Sequence, residues 1–123
     1  MTDKIYEWLK GFPGLELLQR QQTDPVPGGC GLYLRGITGD NCSYDLLGGI
    51  HCRKTLRFRL SRYGDPLESP VFFILLGAWV EDSAPTFGLD QTVFLEKARC
   101  VRDTGQGLSL WEAELEITYW EDV

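Results

Sequence analysis

The sequence predicts an α+β fold, a mainly antiparallel sheet with helices packed on one face. Two observations lead there. Leu56, Phe58 and Leu60 alternate with Thr55, Arg57 and Arg59, and Trp111, Ala113, Leu115, Ile117 and Tyr119 alternate with Glu112, Glu114, Glu116 and Thr118. Period-two alternation marks a strand with one buried and one wet face. The strands also come in runs separated by single helices, in the order α-β-β-β-α-β-β, the pattern of an α+β domain. The 123 residues of the chain suit one domain with one core.

The first element is a short amphipathic helix over 3–10. Ile5, Trp8 and Leu9 share a face with Tyr6 nearby, Thr2 or Asp3 can cap its start, and Lys10, Gly11 and Pro13 end it. Leu15, Leu17 and Leu18 add a turn of helix or anchor the connection. Residues 23–31 form a loop, because their prolines and glycines forbid regular structure. A strand is expected over 31–35 and a second over 42–47, joined through 36–41. Gly48 and Gly49 then turn the chain into a long strand over 51–62.

After a turn at 63–66 comes a helix over 70–81. Ser69 is read as its cap and Pro70 as its first residue. Its stretch from Val71 to Val80 has no polar stripe, so it must be covered on most sides, by this domain or by another subunit. Residues 82–91 are a loop. The chain closes with a hairpin of strands over 92–102 and 108–120, longer than the usual strand and able to project from so small a body.

Composition narrows function by exclusion. A net charge of -6 argues against general nucleic-acid binding, whose footprint is basic. The opening residues lack a secretory pattern, and the apolar run 71–80 is too short to span a bilayer. A protein that stays inside the cell, with no membrane partner and four reduced cysteines, is expected. The single histidine, His51, neighbours Cys52 on a strand, so their side chains point to opposite faces and form no catalytic pair. Cys30, Cys42, Cys52 and Cys100 lack zinc-knuckle spacing, and the run 40–45 lacks the glycine and glutamate of a calcium loop. The cluster Gly28, Gly29, Gly31 matches no phosphate-binding loop. No catalytic residue, metal site or cofactor is assigned.

The sequence also carries two charged rows, Arg53, Arg57 and Arg59 on one strand and Glu112, Glu114 and Glu116 on another. If the strands are neighbours, the rows form a cross-strand ladder worth about 0.2–1 kcal/mol per pair. If the rows lie on opposite edges, they can meet between subunits in a head-to-tail contact that closes into a ring. These six residues, with Phe72 and Trp79 of the apolar helix, are the candidate interface.

Several stretches resemble a known family. The opening Ile5-Tyr-Glu-Trp-Leu-Lys-Gly-Phe-Pro-Gly-Leu15, the Arg-rich strand followed by Ser61-Arg-Tyr-Gly64, the helix ending Ala78-Trp79-Val-Glu81 and the last strand ending Leu115-Glu-Ile-Thr-Tyr119 are similar to small phage and prophage proteins of Gram-positive hosts, labelled minor capsid or tail proteins. That class resembles the tail terminators of long-tailed phages. The resemblance implies a non-enzymatic virion component, made in the host cytoplasm. It implies a homo-oligomeric ring, typically a hexamer, whose partners are the tail tube protein and the head connector, with DNA passing only through the lumen. Charge reversal at Arg57 and Arg59 is then expected to disrupt the ring. A head–tail connector or adaptor, a minor capsid protein, and a small non-viral ligand-binding or regulatory domain are the other readings. The regulatory domain requires a monomer whose helix 70–81 is wrapped by its own sheet.

Overall fold

A computed structural model describes residues 1–20, 23–44 and 48–122. Its elements run α1 (Thr2–Leu9), β1 (Gln19–Arg20), β2 (Cys30–Tyr44), β3 (Ile50–Gly64), α2 (Ser69–Ser83), β4 (Leu89–Asp103) and β5 (Ser109–Asp122). The strands form one sheet in the order β1-β2-β3-β5-β4. Among the described residues the two-residue β1 runs parallel to its neighbour and the other pairings are antiparallel. The predicted α+β class and element order are therefore observed.

The first strands are divided differently from the expectation. Gly36–Asn41 does not separate two strands. It lies within the continuous β2, where register shifts at Leu34/Gly36 and Gly39/Asn41 absorb the irregularity as bulges. Asp45–Leu47, the end of the expected second strand, lie outside the described residues, as does Asp45 of the calcium-like run. The third strand before α2 is instead β1, too short for any periodicity to reveal.

One face of the sheet carries the core. Leu32, Leu56, Phe58, Leu60, Ala113, Leu115, Ile117 and Tyr119 meet Ile5, Tyr6 and Leu9 of α1 and Phe73, Leu76 and Val80 of α2. The two helices hold each other by aromatic contact. Trp8 stacks on Trp79 at 5.5 Å between ring centroids, and Phe12 sits 5.6 Å from Phe72 and 5.3 Å from Trp79. The Tyr6 hydroxyl donates to the carbonyl of Leu32, pinning α1 to β2.

Ser69 does not cap α2. Glu68 occupies the cap position and Ser69 is already helical and fully buried. Its hydroxyl donates to the Asp65 carbonyl at 2.9 Å and accepts from Arg62 Nη1 at 2.9 Å. The Asp65 carboxylate takes the N–H of Leu67 at 2.8 Å, an Asx turn that starts the helix from one residue earlier in the turn than expected. Neither Thr2 nor Asp3 caps α1 through its side chain; Asp3 pairs instead with Arg20 of β1, which lowers its pKa below the usual carboxylate value.

The expectation of four reduced cysteines is corrected. Cys42 and Cys52 are register partners across β2 and β3 and form a disulfide, while Cys30 is a buried and Cys100 an exposed free thiol. The two bulges in β2 set the register that brings the pair together, and no spacing rule in the sequence announces them.

Candidate interface surfaces

The charged rows belong to adjacent strands. Arg57 lies opposite Glu116 and Arg59 opposite Glu114 in the β3–β5 register, on the face turned away from the helices. Arg57 Nε stands 3.6 Å from Glu116 and 4.0 Å from Glu114. On the other flank of β5, Arg99 of β4 reaches Glu112 at 2.8 Å and Lys97 reaches Glu114 at 3.5 Å. The glutamates thus run as a negative stripe between two positive ones. Further along, Thr55 and Thr118 share a hydrogen bond at 3.1 Å, and Arg53 lies opposite Trp120. The placement of the two rows on opposite edges is overturned; the intrachain ladder is what forms. Its physical reason is topology, because β5 inserts between β3 and β4 rather than ending at an edge.

Phe72 and Trp79 are half-buried on the flank of α2 that meets α1. Phe72 is half-buried between Phe12, Phe73 and the Arg62 guanidinium, which lies 4.6 Å from its ring, and Trp79 faces α1.

The outward face of α2 is made by residues the sequence reading did not single out. Val71, Ile74 and Leu75 are 55, 71 and 57% exposed, with Ala78 exposed beside them. They fall on one side of the helix at spacings of three, four and seven residues. From Ser69 to Val80 the helix has no charged residue; Glu68 precedes and Glu81 and Asp82 follow that stretch. Wrapping of α2 by its own domain is therefore not observed. The core stripe of Phe73, Leu76 and Val80 is covered, the flank of Phe72 and Trp79 meets α1, and the remaining arc faces outward.

Beside that arc runs an open groove of about 550 Å³ between α2 and β4, lined by Phe73, Ile74, Gly77, Ala78, Leu95 and Trp111 among others. A Cβ at Gly77 would lie 3.9 Å from the Leu95 carbonyl oxygen, an ordinary contact, so the groove floor has room for an alanine there. The groove ends at Lys97, whose φ of 59° accompanies a register shift between Glu96 and Arg99.

His51 lines a shallow hollow of about 260 Å³ with Ser43, Leu89, Asp90 and Trp120. Among the described residues no group of three or more His, Cys, Asp or Glu side chains is placed to hold a metal ion, and no helix is long and apolar enough to cross a membrane. Burial pushes the Cys30 thiol up to about 11 and the Tyr6 phenol up to about 12.

No protein-family model and no curated protein sequence matches the chain.

Proposed function

We propose that this protein is a structural subunit of a phage particle, a tail terminator that assembles into a ring through the outward face of α2. The observation that carries the reading is the exposure of Val71, Ile74 and Leu75 on a helix with no charge along its length from Ser69 to Val80. Contiguous apolar surface of this kind marks an interaction site. The resemblance of the opening segment, the Arg-rich strand and the closing hairpin to phage tail proteins supplies the particular role.

A second copy is the partner that the reading requires, with the tail tube and head connector above and below the ring. The ring docks on the last tube ring and removes the edge that templates further polymerisation. Shape and contact do the work, with no cofactor and no bond made or broken. The charge ladder enters as a rigid, wet sheet face available to the lumen or to a neighbouring ring. A monomeric regulatory domain is disfavoured by α2, which its own sheet leaves uncovered on the outer side. The test is electron microscopy of tails assembled with and without the protein. Tails of uncontrolled length in its absence are expected, and tails of fixed length would refute the assignment.

A further inference from the structure

We propose that the Cys42–Cys52 disulfide is a redox lock on the outer half of β2, closing a sheet edge that the rest of the fold holds weakly. The inference is independent of the ring reading.

The inner half of β2 is well secured. Cys30, Gly31 and Leu32 are buried, β1 pairs along part of the segment, and Tyr6 bonds the Leu32 carbonyl. Beyond Leu34 these supports stop. Ile37, Thr38, Gly39, Cys42 and Ser43 are all exposed, and Gly36 is only half-buried. Ile37, the one large apolar residue of the segment, is 57% exposed, so little apolar burial holds it down. Both register shifts of the β2–β3 pairing fall here, at Leu34/Gly36 and Gly39/Asn41. Two glycines add the conformational entropy that an ordered strand must overcome. Among the described residues the segment is an edge of the sheet, since β1 pairs with Gly31 and Leu32. Few buried contacts and solvent-exposed ladder bonds are the marks of a unit that opens locally.

β3 differs on the same stretch. From His51 to Thr55 it is paired on its other side with β5, in register from Asp122 to Thr118. Opening of the outer half of β2 therefore leaves β3 in place and bares its edge as a template for an added strand. Of the contacts that tie residues 36–43 to β3, the disulfide is the covalent one, and it closes a loop with a sequence separation of 10.

The lock closes by exchange with a small-molecule disulfide such as oxidised glutathione. The Cys42 thiolate, the more exposed of the two, attacks one glutathione sulfur and expels glutathione thiolate. The Cys52 thiolate then attacks the Cys42 sulfur, forming the protein disulfide and releasing the second glutathione. Two protein thiols lose two protons and two electrons, and one glutathione disulfide becomes two thiols. A reducing phosphine or thiol reverses the balance and opens the lock.

Hydrogen exchange on the full chain tests this, after incubation with oxidised glutathione and again after reduction. The oxidised protein should titrate at most two free thiols, Cys30 and whatever Cys100 glutathione has not capped, and the reduced protein four. On reduction, amides of residues 36–43 should exchange faster by roughly tenfold or more, while residues 30–34 and α2 keep their rates. The double variant Cys42→Ser, Cys52→Ser should exchange like the reduced protein. Equal rates in both states would overturn the lock, as would uniform acceleration over the whole sheet or four free thiols under oxidised glutathione.

Discussion

If the proposed ring forms through α2, replacing Ile74 by Lys separates assembly from folding. In the isolated subunit Ile74 is 71% exposed, so the change removes little buried surface, and Lys forms helix at least as well as Ile. The folding cost is within about 0.5 kcal/mol, and the melting temperature should stay within about 3 °C of the parent value. At a subunit contact the sum differs. Covering the exposed part of an isoleucine contributes about 1–2 kcal/mol, and an ammonium forced into that contact without a partner costs about 2 kcal/mol more. A loss of about 3–4 kcal/mol makes each contact roughly 150- to 900-fold weaker, and a ring repeats that loss at every interface. Thermal melts by circular dichroism, beside electron microscopy of tails assembled with the variant, measure both sides. Normal melting with tails of uncontrolled length is expected. Tails terminated as by the parent protein would show that α2 does not form the contact. Leu76→Ala on the covered side of the same helix is the counterpart, expected to lose about 2–5 kcal/mol of stability because Leu76 is fully buried.

Alkali should unfold the protein earlier than its composition implies. Cys30 and Tyr6 are held neutral in the fold, raised from 9.0 to about 11 and from 10.0 to about 12. Groups with raised folded values add stability that is complete below pH 9 and disappears as pH climbs through 11 to 12. A fall on the order of 2 kcal/mol in denaturant stability between pH 8 and pH 11 is expected, and a flat profile would refute it. Arg57→Glu sets a third carboxylate against Glu114 and Glu116 and should cost about 1–2 kcal/mol at low ionic strength, a loss that 1 M salt shrinks; a salt-independent loss would mean the ladder is not the cause. Gly88→Ala places a Cβ 2.4 Å from the Trp120 carbonyl oxygen and 2.6 Å from Tyr119 Cδ2, so β5 backbone must move. A loss of about 1–3 kcal/mol is expected, and an unchanged denaturation midpoint would show that the loop before β4 does not seat against β5.

Where periodicity is strong, the sequence was readable. The alternation maps onto the two faces of β5: Ala113, Leu115, Ile117 and Tyr119 are buried and Trp111 packs half-buried against the core, while Glu112, Glu114, Glu116 and Thr118 are half-buried on the other face. The uniform apolarity of 71–80 was also legible as a covering problem, and the structure leaves that problem open on the outer arc. Three things were hidden for physical reasons. Strand order is a long-range property, so nothing local revealed that β5 lies between β3 and β4 and joins the charged rows into a ladder. Register depends on bulges, and a glycine such as Gly39 reads equally as a break or as a bulge within one strand. A helix with no polar stripe gives no phase, so Phe72 and Trp79 could not be told from Val71, Ile74 and Leu75. Only the position of α1 decides which flank is inside.

The two sheet edges support α2 as the proposed contact. A ring could equally be built by pairing strands edge to edge, and this sheet has two edges. β4 is interrupted by register shifts at Leu89/Thr92, Glu96/Arg99 and Cys100/Arg102, with Lys97 in the left-handed region between them. Bulges and an edge lysine are the devices by which sheets discourage strand addition. The other edge is broken by the two shifts in β2 and tied down by the Cys42–Cys52 disulfide. The open face is occupied by its own ladder, whose ion pairs satisfy one another at 2.8–4.0 Å. Among the described residues, Val71, Ile74 and Leu75 are the large apolar side chains exposed together on one helix face, whereas Leu17, Val26 and Leu67 are exposed in loops and turns and Ile37, Leu89 and Val101 on edge strands. If assembly nevertheless runs through the strands, Ile74→Lys should be silent, and a strand-breaking proline at Val93 on the β4 edge should abolish it.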